Sequence, residues 1–156
     1  MRRKEKPKIA ILLGSKSDLE RLTEVFNLLK DINCPYRLEV ISAHRSPYKL
    51  QNFCKHAKKE GIEIIIACAG LSAALPGVVA SYLDIPVIGV PLDSGPLKGV
   101  ESLFSIAEVP KGVGLVSTGI GKKGFINGVI FSLKILTLFY KDYAEILRRM
   151  EEKFKR

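Results

Sequence analysis

The sequence has no tryptophan, only two histidines and only three cysteines in 156 residues. Each scarcity excludes something. Cys34, Cys54 and Cys68 form no C-x-x-C pair and are odd in number, so neither a disulfide framework nor a zinc site fits them. Cys68 lies in an apolar run and reads as a small core residue. No apolar run approaches the roughly 18 residues that span a bilayer. An apolar strand, and no cleavage site, follows the basic start, so no signal or targeting segment is expected and the chain reads as soluble and cytoplasmic. The sequence also lacks a Walker A loop, a G-x-G-x-x-G run, a metal-ligand cluster and a recognisable Ser/His/Asp order.

Positive charge is abundant but badly placed for nucleic acid. Of the net +9, residues 1–8 carry +4 and residues 148–156 carry +3, which leaves +2 for the body. Two basic ends are not a duplex footprint, so no nucleic-acid partner is expected. The length suits one domain over residues 1–156, with a basic tail at 1–7 and a last helix over about 141–155.

What is present is a repeated plan. Lys8–Leu13 is a short apolar run that reads as a buried parallel strand. Gly14-Ser-Lys-Ser-Asp18 follows, and Ser17 with Glu20 has capping-box spacing for a helix bearing Leu22, Val25, Phe26 and Leu29 on one face. Strand Tyr36–Ile41 leads into Ser42-Ala-His-Arg-Ser46, and Pro47 opens a helix to about Glu60 with Ser46 as its N-cap. Gly61 stops that helix. Further strands are expected over Glu63–Ala69, Pro86–Val90 and Gly114–Ser117, with helices after Gly70-Leu-Ser-Ala-Ala and over Gly99–Ala107. Strands alternating with amphipathic helices predict an α/β fold: a flavodoxin-like three-layer α/β/α sandwich with a parallel central sheet. The segment Lys122–Tyr140 is apolar nearly all round and is expected to meet another subunit. The helix from Lys141 is expected to pack on its own subunit or on a neighbour.

In such sheets ligands bind beyond the C-terminal ends of the strands. The first three turns would place Gly14, Ser15, Ser17, Asp18, Ser42, His44, Arg45, Gly70 and Ser72 around one pocket. Helix N-termini, hydroxyls and a guanidinium favour a phosphate. Asp18 suits ribose hydroxyls, or equally a first-turn acid stabilising its helix. A lone His without a nucleophile points to proton transfer. His56 reads as a surface residue on a lysine-rich helix.

The motifs Gly14-Ser-Lys-Ser-Asp18, Ser42-Ala-His-Arg-Ser-Pro47, Ala69-Gly70 with Leu75-Pro-Gly77, Pro86–Pro91 and Gly99–Ile106 together resemble the PurE family of purine biosynthesis, over about Lys8–Leu136. The resemblance implies a homo-octamer and neither a metal nor an organic cofactor. It also implies a reaction in which carboxylate moves from N5 to C4 of N5-carboxyaminoimidazole ribonucleotide through trapped CO2. It assigns His44 as general acid and then base, and Ser15, Asp18, Ser42 and Arg45 to phosphate and ribose. Ala43, and the loop from Gly70 through Ala74 and Leu75, complete the substrate wall. Arg45 resembles the mutase branch, whereas Ala74 stands where that branch usually has histidine. Direct carboxylation of aminoimidazole ribonucleotide by CO2 is the alternative. A non-enzymatic flavodoxin-like nucleotide or flavin binder is a third possibility, for which Tyr48 and Tyr82 are the nearest ring-stacking candidates.

Overall fold

The computed structural model describes residues 6–155; the basic tail expected at 1–7 lies outside them apart from Lys6 and Pro7. Strands β1 (Ile9–Leu13), β2 (Tyr36–Val40), β3 (Ile64–Ala69), β4 (Val87–Pro91) and β5 (Val116–Ser117) pair in parallel in the order β2-β1-β3-β4-β5. That is the flavodoxin-like order, and the register aligns Leu13 with Val40 on one side and with Cys68 on the other. Cys68 in turn aligns with Val90. The first four strands therefore end nearly level, where their turns can meet.

The helices are α1 (Lys16–Arg21), α2 (Thr23–Asp31), α3 (Pro47–Ala57), α4 (Ala74–Tyr82), α5 (Val100–Ala107), α6 (Gly121–Thr137) and α7 (Asp142–Glu152). The period-two geometry of a strand separates two cores. Ile9, Ile11 and Leu13 face α2, α6 and α7, with Ile64, Ile66, Ile88 and Val90 beside them. Ala10 and Leu12, with Ile65 and Ala67, face α3, α4 and α5. Both faces are covered, which is why the central strands are apolar at every position. The edge strands differ: β2 is half-buried along its length, and β5 is two exposed residues. A short edge strand limits pairing with other chains.

Sequence expectations change at the first helix and the fifth strand. The first helix starts at Lys16 with Ser15 as N-cap, so Asp18, not Glu20, stands at the third position; the helix then breaks at Leu22 and α2 begins. The fifth strand is shorter than Gly114–Ser117. The long apolar helix is buried mostly by its own chain. Phe125, Val129, Leu133 and Leu136 sit in the core, while Ile126, Ile130 and Ile135 are partly covered. Only Phe131 on the helix, and Leu138 and Phe139 just past it, stay exposed as large apolar residues. The α7 helix packs on its own subunit, through Tyr143, Ile146 and Met150. Among the described residues no helix is long and apolar enough to cross a membrane.

Candidate active site

The turns after β1, β2, β3 and β4 enclose a cavity of about 420 Å³. Gly14, Ser15, Ser17 and Asp18 form one wall, Ser42, Ala43 and His44 a second, and Gly70, Ser72, Ala74 and Leu75 a third.

The β1 turn is locked from within. The Asp18 Oδ2 atom accepts the Ser15 backbone N–H at 2.9 Å, and the Ser15 and Ser17 hydroxyls lie 2.6 Å apart. Asp18 is buried, one of few buried charged or polar residues. It therefore occupies both places offered by its position, first-turn acid and cavity wall. Burial, and secondly the Asp18 carboxylate, push the Cys68 thiol well up, so this cysteine beneath the site stays protonated.

The β2 turn carries His44. Ser46 donates its backbone N–H to the Ser42 carbonyl at 2.9 Å, and Pro47 begins α3, so the chain reverses tightly and leaves His44 exposed at the rim. Arg45 stands outside the cavity lining. Its backbone N–H and Nε point at Ser42 Oγ, at 3.2 and 3.4 Å. The guanidinium is thus tied to a cavity hydroxyl and reaches the cavity only across it.

The β3 turn is the most constrained. Leu71 and Ala73 have φ of +54° and +37°, in the left-handed region that disfavours a side chain. Ala73 closes the turn by donating to the Gly70 carbonyl at 3.0 Å. Glycine at 70 lets the Ser94 hydroxyl pack against the turn: a Cβ there would lie 1.7 Å from Ser94 Oγ and would force that side chain to move. Of the helices entering the site, α4 presents its first two residues, Ala74 and Leu75, to the cavity, whereas α3 opens on a proline outside it. The α1 end also lines the cavity, through its N-cap Ser15 and first-turn Ser17 and Asp18, so the anion preference expected of several helix ends rests on α1 and α4.

In the third turn the sequence singled out Gly70, Ser72, Ala74 and Leu75; Arg21, Ala69, Leu71, Ala73 and Ser94 join them in this lining. Ser94 follows β4 as the other turns follow their strands, so the rule for the first three turns would have found it. Arg21 lies four residues after Ser17 on α1, a helical spacing that shares a face. It is only loosely paired, at 4.0 Å, with Asp93. His56 is far from the cavity on the last turn of α3, with Nδ1 2.8 Å from the Asn52 carbonyl. Tyr48 and Tyr82 line a different groove, between α3 and α4. Among the described residues no Phe, Tyr or Trp lines the cavity. Likewise, no group of three or more His, Cys, Asp or Glu among the described residues is placed to hold a metal.

A family model described as AIR carboxylase matches residues 8–156. The chain is 42% identical over 146 residues to an N5-carboxyaminoimidazole ribonucleotide mutase of Saccharolobus solfataricus, covering 94% of this chain and 91% of that protein. It is 40% identical over 149 residues to a Bacillus subtilis protein of the same name, covering 96% and 92%. A crystal structure of Treponema denticola PurE superposes with a TM-score of 0.78 over 94% of this chain and 90% of that one; at 24% identity this speaks for the fold alone.

Proposed function

Because the chain belongs to the AIR carboxylase family, we propose that it is an N5-carboxyaminoimidazole ribonucleotide mutase of purine biosynthesis. The observation that carries this reading is the convergence of His44 and the small-residue wall Gly70–Leu75 on one cavity, in a chain about 40% identical to proteins named for that reaction.

In this reading the N5–carboxylate bond breaks as His44 delivers a proton to N5, which leaves CO2 and aminoimidazole ribonucleotide. Ring carbon C4 then attacks the CO2, and the C4 proton returns to His44. Atoms and protons balance, and the histidine ends as it began. The CO2 is held against the small apolar surfaces of Gly70, Ala73 and Ala74, and the bound ribonucleotide fills the rest of the cavity and keeps water out. Ser15, Ser42 and Arg45 hold the phosphate, with Arg45 acting across the Ser42 hydroxyl. Asp18 accepts from the ribose hydroxyls, and Gly14, Ser17, Ala43, Ser72 and Leu75 shape the remaining wall.

The second reading is a carboxylase, or carboxy-lyase in reverse, working directly on aminoimidazole ribonucleotide. Ala74 is the feature that favours it. Arg45 favours the mutase, and so does chemistry: a mutase must keep CO2 in a closed site more than it needs a second titratable group. Initial rates with each substrate decide between them. A mutase converts the N5-carboxylated compound without bicarbonate, whereas efficient use of aminoimidazole ribonucleotide with CO2 alone selects the carboxylase.

The working form in this reading is a homo-oligomer, an octamer by family resemblance, in the cytoplasm. Leu71, Leu97, Phe104, Phe131, Leu138 and Phe139 are large apolar residues that their own chain leaves exposed, which supports a further covering surface.

A further inference from the structure

The inner face of α5 carries one polar residue where its pattern calls for an apolar one. Ser102 and Ile106 are four residues apart and share that face, and both are buried. Ser102 is 0% exposed. A hydroxyl so buried requires a partner. It donates to the backbone carbonyl of Leu71 at 2.9 Å, across 31 residues of sequence.

That carbonyl belongs to the strained turn of the cavity wall. Leucine disfavours a φ of +54°, and Ala73 two residues on disfavours +37°. Two such residues in one short turn persist only where neighbours over-determine the backbone. On the inner side, Ala73 donates to Gly70 and Ser94 covers Gly70. These contacts tie the two ends of the turn to each other and to the segment after β4. The hydroxyl of Ser102 holds the middle. Without it, the Leu71 peptide can rotate toward the ordinary right-handed or extended basins and carry Ser72 with it.

We propose that Ser102 is the positioning residue of the substrate wall. From outside the cavity it fixes the Leu71 peptide, and thereby the placement of Ser72, Ala73 and Ala74 within it. The catalytic consequence rests on the mutase reading; the structural one does not. Ser102 touches no substrate. Its effect on turnover comes through a loop that is already shaped before substrate arrives.

The test uses the full chain, with Ser102→Ala introduced both into the wild type and into a Leu71→Gly variant. Amide hydrogen exchange on the free protein is measured first. Ser102→Ala should speed exchange at Ala73 about tenfold or more while leaving the β3 amides unchanged. With the mutase substrate, Ser102→Ala should lower kcat/KM about tenfold with Leu71 present. Glycine adopts positive φ without a side-chain penalty, so in the Leu71→Gly background the same change should cost less than about threefold. A structural role confined to packing would give the same loss in both backgrounds and would speed exchange across α5; either result overturns the proposal. Normal exchange and normal kcat/KM in Ser102→Ala overturn it too. If the wild type turns over neither substrate but the exchange result holds, the mutase reading fails while the positioning role of Ser102 stands.

Discussion

The two ends of the parallel sheet treat their polar groups in opposite ways. At the end where the strands begin, Lys8 and Glu63 precede β1 and β3, and Tyr140 comes from the link between α6 and α7. The Lys8 ammonium lies 2.5 Å from the Glu63 carboxylate, the Tyr140 hydroxyl donates to the same carboxylate at 2.6 Å, and Lys8 sits 4.3 Å from the centre of the Tyr140 ring. In this cluster each charge is answered by another from the same chain. At the end where the strands finish, hydroxyls, a carboxylate and an imidazole surround an open cavity, and the backbone is held in costly conformations. The first arrangement stabilises the fold and the second prepares for a ligand. A change at one end should therefore move melting temperature and spare turnover, and a change at the other should do the reverse.

The largest contrast is expected at His44. Its side chain is exposed, so His44→Asn should leave the melting temperature unchanged and cut kcat by on the order of 10²-fold or more, as for loss of an acid–base group. Near-normal turnover in the folded variant would remove His44 from the mechanism. Next comes Arg45→Ala, which should weaken ribonucleotide binding by about 2 kcal/mol, through loss of a charge-assisted contact. Titration with a phosphate-free nucleoside analogue checks the assignment, because an equal loss there would mean that Arg45 does not act on phosphate.

The opposite end offers smaller effects of the other kind. Tyr140→Phe removes one hydrogen bond from Glu63 and should lower stability by about 1 kcal/mol, a fall of about 2–4 °C in Tm, with kcat/KM untouched. Glu63→Gln adds a pH signature. Burial alone would raise the Glu63 carboxyl, but hydrogen bonds from Lys8 and Tyr140 and the Lys8 charge outweigh it and hold the carboxyl below its ordinary range. The bond to Glu63 likewise raises Lys8 against the effect of burial. A carboxyl depressed in the folded state contributes stability above its unfolded pKa and loses it as pH falls through the folded one. The Tm gap between wild type and Glu63→Gln should therefore be widest near neutral pH and close below about pH 4. Both groups are partly exposed, so the gap should stay small and shrink further in salt. A gap that is constant with pH would show that Glu63 acts through packing.

How much of this was legible beforehand follows from the range of each interaction. Short continuous apolar runs located the central strands and helical spacings the helices that cover both faces, because those patterns are local and repeat. Gly61 was readable for the same reason: a helix end needs a residue at positive φ, and its φ is +94°. Ser46 with Pro47 marked the start of α3 equally well. Residues Gly14 to Asp18 were placed beside the cavity, but the cap was assigned to Ser17. Two serines two positions apart both suit an N-cap, and only the bond from Ser15 to Asp18 distinguishes them. How much of α6 its own chain covers was not legible, because sequence shows how apolar a helix is, not which of its neighbours cover it. Arg21 and Ser94 were within reach of the same local rules, by helical spacing from Ser17 and by position after β4. Ser102 was invisible, since a partner 31 residues away leaves no mark on local pattern.

The central claim is that this cavity retains CO2 between the breaking of one bond and the making of the next. The N5-carboxylated substrate, labelled in its carboxylate, should be incubated with the wild-type protein in excess unlabelled bicarbonate, and the C4-carboxylated product examined for label. A mutase with a closed wall at Ala74 should return product with most of its label and should need no bicarbonate to form it. Product that carries the unlabelled carboxylate, or no product without bicarbonate, would contradict the account and make Ala74 the mark of a direct carboxylase.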